Sequence, residues 1–133
     1  DGVLSEDTDV LAYGTPLFLT KINTSAETCV IVKIEDILES LDLTYFQFRD
    51  LCIMCGCDYN KNIPRVGSQT AYKLLAEHGS IDDLPEKFDI SILNHNRGRE
   101  LFTLDDQLKW EIPFCKEPDW DELKLFLFKN FIF

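Results

Sequence analysis

Between Thr44 and Gly56 the sequence spells out both ends of one helix, and this stretch constrains the fold more than any other. Thr44 and Gln47 have the spacing of a capping box, in which each side chain satisfies a free backbone amide of the first turn. Phe48, Leu51, Cys52 and Cys55 then continue one apolar face at helical spacing, and Gly56 is placed to end it. A loop is predicted over 57–66, marked by Asn60, Asn62 and Pro64. A second helix follows over Gly67–His78, with Ala71, Leu74 and Leu75 inward and Gly79 as its stop.

Upstream, the pattern changes period. Gly2–Ser5 reads as the end of a buried strand. Pro16–Ile22 and Thr28–Ile34 are apolar, β-branched runs separated by polar residues 23–27, and they read as a strand pair. Ile34, Ile37, Leu38 and Leu41 return to helical spacing. Downstream, Ser80 with Asp83 starts a short helix that Pro85 disturbs, and 88–103 carries no clear period. Asp119 to Phe131 reads as a final helix or strand, and its acidic start, Asp119-Trp120-Asp121-Glu122, favours the helix, because negative charge suits a helix N-terminus. Strands come first and helices follow, so the chain mixes both kinds of element.

Composition narrows the function. At 133 residues, 45% hydrophobic and 12% aromatic, the chain can build one core and is too apolar for a disordered acidic tail. No uninterrupted apolar run approaches the roughly 20 residues that span a bilayer, so no membrane partner is expected. The start, Asp1-Gly2-Val3-Leu4, lacks a signal peptide's basic and apolar regions and an initiator Met, and reads as cut from something longer. A net charge of -11 opposes simple nucleic-acid binding, which relies on Lys and Arg. It fits an acidic domain without a charged ligand, or carboxylates that hold divalent metal with basic residues confined to one patch. The five cysteines, Cys29, Cys52, Cys55, Cys57 and Cys115, form no disulfide framework. Cys52, Cys55 and Cys57 lack an obvious fourth zinc ligand, so they read as buried, reduced thiols of an intracellular protein.

Three constellations carry chemistry. Ser5-Glu6-Asp7-Thr8-Asp9 directly follows a strand, and alternating carboxylates there can converge on hard cations such as Mg²⁺ or Mn²⁺. The same run also reads as an acidic turn capping the next segment. Asp58, just past the 44–56 helix, is either a common helix-end residue or a third carboxylate, if the chain folds it back to Asp7 and Asp9. Finally, 59–75 contains no Asp or Glu but holds Lys61, Arg65 and Lys73. Its loop Ile63-Pro64-Arg65-Val66-Gly67-Ser68 runs into a helix N-terminus, whose free amides suit a phosphate. An ordinary loop–helix junction is the other reading.

These motifs, in this order, resemble the flap-endonuclease/XPG family of structure-specific nucleases over nearly the whole chain. Residues 5–14 resemble the family's pair of Asp residues after a strand, with a short helix ending in Gly. Residues 50–59 are similar to its Leu/Cys-rich helix ending Gly-x-Asp-Tyr. Ile63-Pro64-Arg65-Val66-Gly67, with Ala71 on the next helix, resembles its helix–two-turn–helix DNA-binding element. Arg99-Glu100-Leu101-Phe102, Leu108-Lys109-Trp110 and the acidic helix start after Pro118 look like the segment that closes its catalytic domain. One departure is Arg65, where many relatives have Gly.

The resemblance implies an α/β fold: the C-terminal half of a PIN-like nuclease core with a mostly parallel sheet, over 1–58, followed by a helical helix–two-turn–helix DNA-binding region over 59–133. It implies that Asp7, Asp9 and Asp58 hold two metal ions, Mg²⁺ with Mn²⁺ as a substitute, and it carries over no ligand role for Glu6. Lys61, Arg65, Gly67, Ser68, Gln69 and Lys73 would contact duplex phosphate, with a K⁺ held by main-chain carbonyls of that loop. The substrate would be branched or flapped duplex DNA, cut in replication or repair, with a sliding clamp engaged through regions outside this chain. The location would be the nucleus if the source is eukaryotic, with viral and archaeal sources equally open. The family builds its site from about seven carboxylates, so this chain would hold part of one and would not cut alone. Two other readings stay open: a DNA-binding module that lost its chemistry, and a nuclease-like scaffold for protein interaction.

Overall fold

The computed structural model describes residues 2–103 and 117–130. Three strands open the chain: β1 (Val3–Leu4), β2 (Leu17–Asn23) and β3 (Thr28–Lys33). β2 and β3 form the expected hairpin, antiparallel from Leu17↔Lys33 to Asn23↔Thr28. The Asn23 side chain ties its turn by accepting the Ser25 and Ala26 amides at 3.1 and 3.0 Å. β1 runs parallel to β2. The α/β class therefore holds, but the described sheet is mixed rather than mostly parallel, because the connection from β2 to β3 is too short for a crossover. The buried strand expected at 2–5 also needs correction: Val3 and Leu4 are exposed, since β1 pairs on one edge only.

The helices α1 (Ile34–Leu41), α2 (Tyr45–Cys55), α3 (Ser68–His78), α4 (His95–Leu101) and α5 (Trp120–Asn130) follow. The capping box on α2 is complete: Thr44 accepts from the Gln47 amide, and Gln47 accepts from the Thr44 amide at 2.9 Å. The unassigned stretch 88–103 forms a 3₁₀ turn, Ile90–Leu93, and then α4. Asp119 caps α5 by accepting the Asp121 and Glu122 amides. Leu108, Lys109, Trp110, Cys115 and Phe131 lie outside the described residues. Among the described residues, no helix is long and apolar enough to cross a membrane.

The core lies where α2, α3, α4 and the 3₁₀ turns meet. Ile53, Met54, Leu75, Ile81, Leu93 and Phe102 are fully buried there, and each such side chain contributes about 1.5–3 kcal/mol. Gly98 lets α4 approach α2: a Cβ there would stand 3.2 Å from the Ile53 Cδ1 atom. The loop between α2 and α3 is pinned in its second half, because Ile63 and Val66 insert into this core while the residues around them face solvent.

Candidate metal and nucleic-acid site

Asp7 sits at the start of a 3₁₀ turn, Thr8–Leu11, and its carboxylate accepts the Asp9 amide at 2.9 Å. That bond fixes two carboxylates on one turn. The Asp9 carbonyl then accepts the Ala12 and Tyr13 amides, curling the chain back on itself. Ala12 is buried, and its own carbonyl accepts the Tyr45 hydroxyl of α2 at 2.8 Å. Gly14 completes the curl with a φ of 79°, its Cα facing the Tyr45 ring so closely that a Cβ would stand 3.0 Å from it. The acidic turn is thus clamped to α2 from its C-terminal side. Glu6 points elsewhere: its carboxylate accepts the Lys21 amide of β2 at 3.1 Å.

Asp58 arrives on the loop that leaves α2. Two asparagines hold that loop by occupying the helix's terminal carbonyls. Asn60 Nδ2 donates to Ile53 O at 2.8 Å, and its Oδ1 accepts the Cys57 amide at 3.0 Å. Asn62 Nδ2 donates to Cys55 O at 2.9 Å. Gly56, at a φ of 105°, makes room for the Asn62 side chain, since a Cβ would stand 2.6 Å from its Oδ1. The structure brings Asp58 within electrostatic reach of Asp9. Burial pushes the Asp9 carboxyl above its usual range, and repulsion from Asp7 and then Asp58 adds to the shift.

Among the described residues no three His, Cys, Asp or Glu side chains close into a ready-made cage. The donor set is oxygen alone, which fits a hard cation such as Mg²⁺ that keeps several of its own waters. The neighbouring thiols are poor competitors. Burial raises Cys52 to about 12 and moves Cys55 and Cys57 upward as well. They are less buried than expected: Cys55 is exposed and Cys52 and Cys57 are half-buried, and Cys29 on β3 is exposed as well. Cys29, Cys52, Cys55 and Cys57 are all free.

The basic stretch is built differently. Lys61, Arg65, Gly67, Ser68, Gln69 and Lys73 are all exposed, and among the described residues no carboxylate pairs with the three cations. The N-terminus of α3 has no side-chain cap, so its first-turn amides are open to solvent. Gly67 has an extended backbone that any residue adopts, and a Cβ there would meet nothing within 4 Å. The fold therefore does not require glycine at this position, while the open space above it admits an approaching ligand. Arg65 adopts a left-handed φ of 66°, which is strained for a side-chain-bearing residue.

A second charged cluster had no signature in the sequence. Asp50 on α2 is only 4% exposed and is gripped by Arg99 of α4, whose Nε donates to Asp50 Oδ1 at 2.8 Å. Arg99 Nη1 also donates to Asp82 at 2.6 Å, and His95 Nε2 lies 2.8 Å from the other Asp82 oxygen. The Arg99 bond holds the Asp82 carboxyl down at about 2. The one clue was Asp50 itself, three residues before the buried Ile53 and so on the inward face. A buried carboxylate needs a partner, but spacing cannot say which cation supplies it.

A family model described as the XPG I-region matches residues 1–58. Flap endonuclease 1 of Lodderomyces elongisporus is 37% identical over 147 residues, covering 95% of this chain and 37% of that protein. The solved flap endonuclease-1 from Methanococcus jannaschii superposes with a TM-score of 0.67 at 25% identity, over 96% of this chain and 40% of the other. The catalytic core of Rad2 in complex with DNA substrate shares the fold, with a TM-score of 0.57 at 20% identity over 100% of this chain and 37% of the other. The chain spans a little over a third of the length of the curated relatives it matches. With the Asp pair after a strand, the Gly-x-Asp-Tyr loop and the helix–loop–helix all in place, this chain belongs to the flap endonuclease/XPG family.

Proposed function

We propose that the protein carrying this chain is a divalent-metal-dependent nuclease that hydrolyses DNA phosphodiesters at 5′ flaps or nearby junctions in replication or repair. What supports this most is the repulsion that Asp9 feels from both Asp7 and Asp58, beside an acid-free basic stretch. Asp7, Asp9 and Asp58 would hold Mg²⁺, or Mn²⁺ in its place, together with carboxylates from outside this chain. When bound, two such ions lower the pKa of the attacking water and stabilise the leaving oxygen. The chain's own residues place the DNA. Lys61 and Lys73 meet phosphates as point charges and Arg65 as a planar fork of donors, while the α3 amides near Gly67, Ser68 and Gln69 offer directed donors. A K⁺ on main-chain carbonyls of the 63–66 loop belongs to the same reading. Contacts of this kind set register without reading bases, which suits an enzyme that recognises structure. In this reading 1–58 completes the nuclease core and 59–133 grips duplex.

A titration of labelled flap DNA tests this, with the full-length protein and this chain side by side at two salt concentrations. The full-length protein cuts with Mg²⁺ and stops on addition of EDTA. This chain binds weakly, with a log–log salt slope of roughly -0.9 per phosphate contact, and does not cut. Replacing Arg65 and Lys73 together by Ala weakens binding and makes the slope shallower by up to about two such contacts. Unchanged binding by that variant would show that the DNA lies elsewhere. Binding by the full-length protein without metal-dependent cutting supports the non-catalytic module instead.

A further inference from the structure

Asp7 and Asp9 share a turn, but Asp58 comes from a separate loop, and among the described residues no hydrogen bond holds its carboxylate. Something must fix the distance between the two loops, or three like charges would spread. The chain places three aromatic rings across that gap. Tyr13 leaves the turn that carries Asp9, and its amide bonds the Asp9 carbonyl. Tyr59 is the residue after Asp58. Between them stands Phe102, 1% exposed, just past α4. The Tyr13 and Phe102 rings meet edge to face at 5.0 Å, and Tyr59 meets Phe102 edge to face at 5.8 Å. Such pairs contribute beyond their buried area and have a preferred geometry.

We infer that Tyr13, Phe102 and Tyr59 form an aromatic clasp that sets the spacing of Asp58 against Asp7 and Asp9, making Tyr13 and Tyr59 positioning residues for the metal site. This rests on the metal reading proposed above. Asn60 and Asn62 fix the Asp58 loop to α2 alone, whereas the clasp ties it to the other carboxylate turn. Phe102 is rigid because the core surrounds it, so both tyrosines register against one immobile ring. Tyr59 remains 42% exposed, so its edge contact is the weaker half and the more informative one to alter.

The test uses the full-length protein and follows Mn²⁺ binding by paramagnetic resonance, alongside kcat and KM on flap DNA. Tyr59→Leu removes the ring and keeps the bulk, and Tyr59→Phe keeps the ring. Tyr59→Leu should weaken Mn²⁺ binding and lower kcat by about tenfold, the usual scale for groups that orient metal ligands, with KM for DNA little changed. Tyr59→Phe should restore most of both. Tyr13→Leu should do the same from the other loop. A purely structural role would lower the thermal midpoint of these variants while leaving Mn²⁺ affinity at wild-type level, and that result overturns the clasp. Asp58→Asn separates the two claims. Unchanged Mn²⁺ binding in Asp58→Asn overturns the metal reading and the clasp with it. Loss of binding in Asp58→Asn, with wild-type affinity in both Leu variants, overturns the clasp alone.

Discussion

Two clusters of aspartate in this chain respond to the fold in opposite ways. In the 5–14 and 57–60 loops, Asp9 faces Asp7 and Asp58, and its carboxyl is pushed up by burial and by their repulsion. Between α2 and α4, Asp50 and Asp82 share one guanidinium, and Asp82 is held down at about 2. The residue type is the same and the difference is the counter-charge. Within the second cluster the counter-charge is Arg99, part of the chain and always present. In the proposed metal reading it would come from a bound cation in the first, whereas a satisfied network marks a joint in the scaffold.

The largest effect should come from breaking the joint. Arg99→Ala leaves Asp50 buried and unpaired, which should cost about 3–5 kcal/mol, and replacing Asp50 and Arg99 together by Leu and Met should recover most of it. Urea unfolding measures both. A cost below about 1 kcal/mol, the range of solvated surface pairs, would erase the contrast between the clusters.

Asp58→Asn should act the other way. Removing one of three like charges should leave the metal-free protein as stable as before, or more stable by a few tenths of a kcal/mol. Mn²⁺ affinity should fall by more than the roughly 10–100-fold typical of groups behind the ligands. A stability loss with metal affinity intact would mean that Asp58 belongs to the scaffold.

Acid should separate the clusters further. The Asp82 shift, from 3.8 to about 2, would be worth about 2.4 kcal/mol at 1.36 per unit. Its side chain is 53% exposed, so solvent screening reduces this to about 1 kcal/mol. A depressed carboxyl stabilises the fold above its unfolded pKa and loses that contribution as pH falls through its folded one. Asp82→Asn should therefore melt below wild type at neutral pH, with the gap closing between about pH 4 and 2. A gap that persists at pH 2 would mean that the Asn variant fails for reasons of packing.

The smallest effect tests the basic loop against both clusters. Arg65 is strained at its left-handed φ, so Arg65→Gly should stabilise the metal-free chain by up to about 1 kcal/mol, the left-handed penalty less the entropy that glycine adds to the unfolded state. DNA affinity should fall at the same time. Stability and binding that fall together would show that Arg65 has a structural partner.

Much of this was legible locally. The capping box at Thr44 and Gln47, the Gly56 and Gly79 stops and the two strands of the hairpin depend on neighbours a few residues apart, where spacing is geometry. The mixed sheet was not, because strand direction depends on which strands pair rather than on how each reads. Burial at β1 was misjudged for a similar reason: an apolar run predicts a buried strand only where both edges and faces are covered, and Val3 and Leu4 are covered on one edge. The asparagines were read as loop markers when each is a fastener, since Asn60 and Asn62 reach carbonyls seven residues back, on α2.

The sequence by itself determined which residues could do chemistry: two carboxylates on one turn, a third after a helix, and a stretch emptied of acid ahead of a helix start. Those choices are covalent and local, so they survive without knowledge of the fold. Only the tertiary structure decided which carboxylates face one another and which are neutralised. Asp58 met Asp9 because Tyr45, Gly14, Asn60 and the rings around Phe102 bring two distant loops together. Asp50 met Arg99 because Gly98 lets α4 lie close on α2. Charge interactions fall off with distance and depend on burial, and neither quantity is written in the order of residues along a chain.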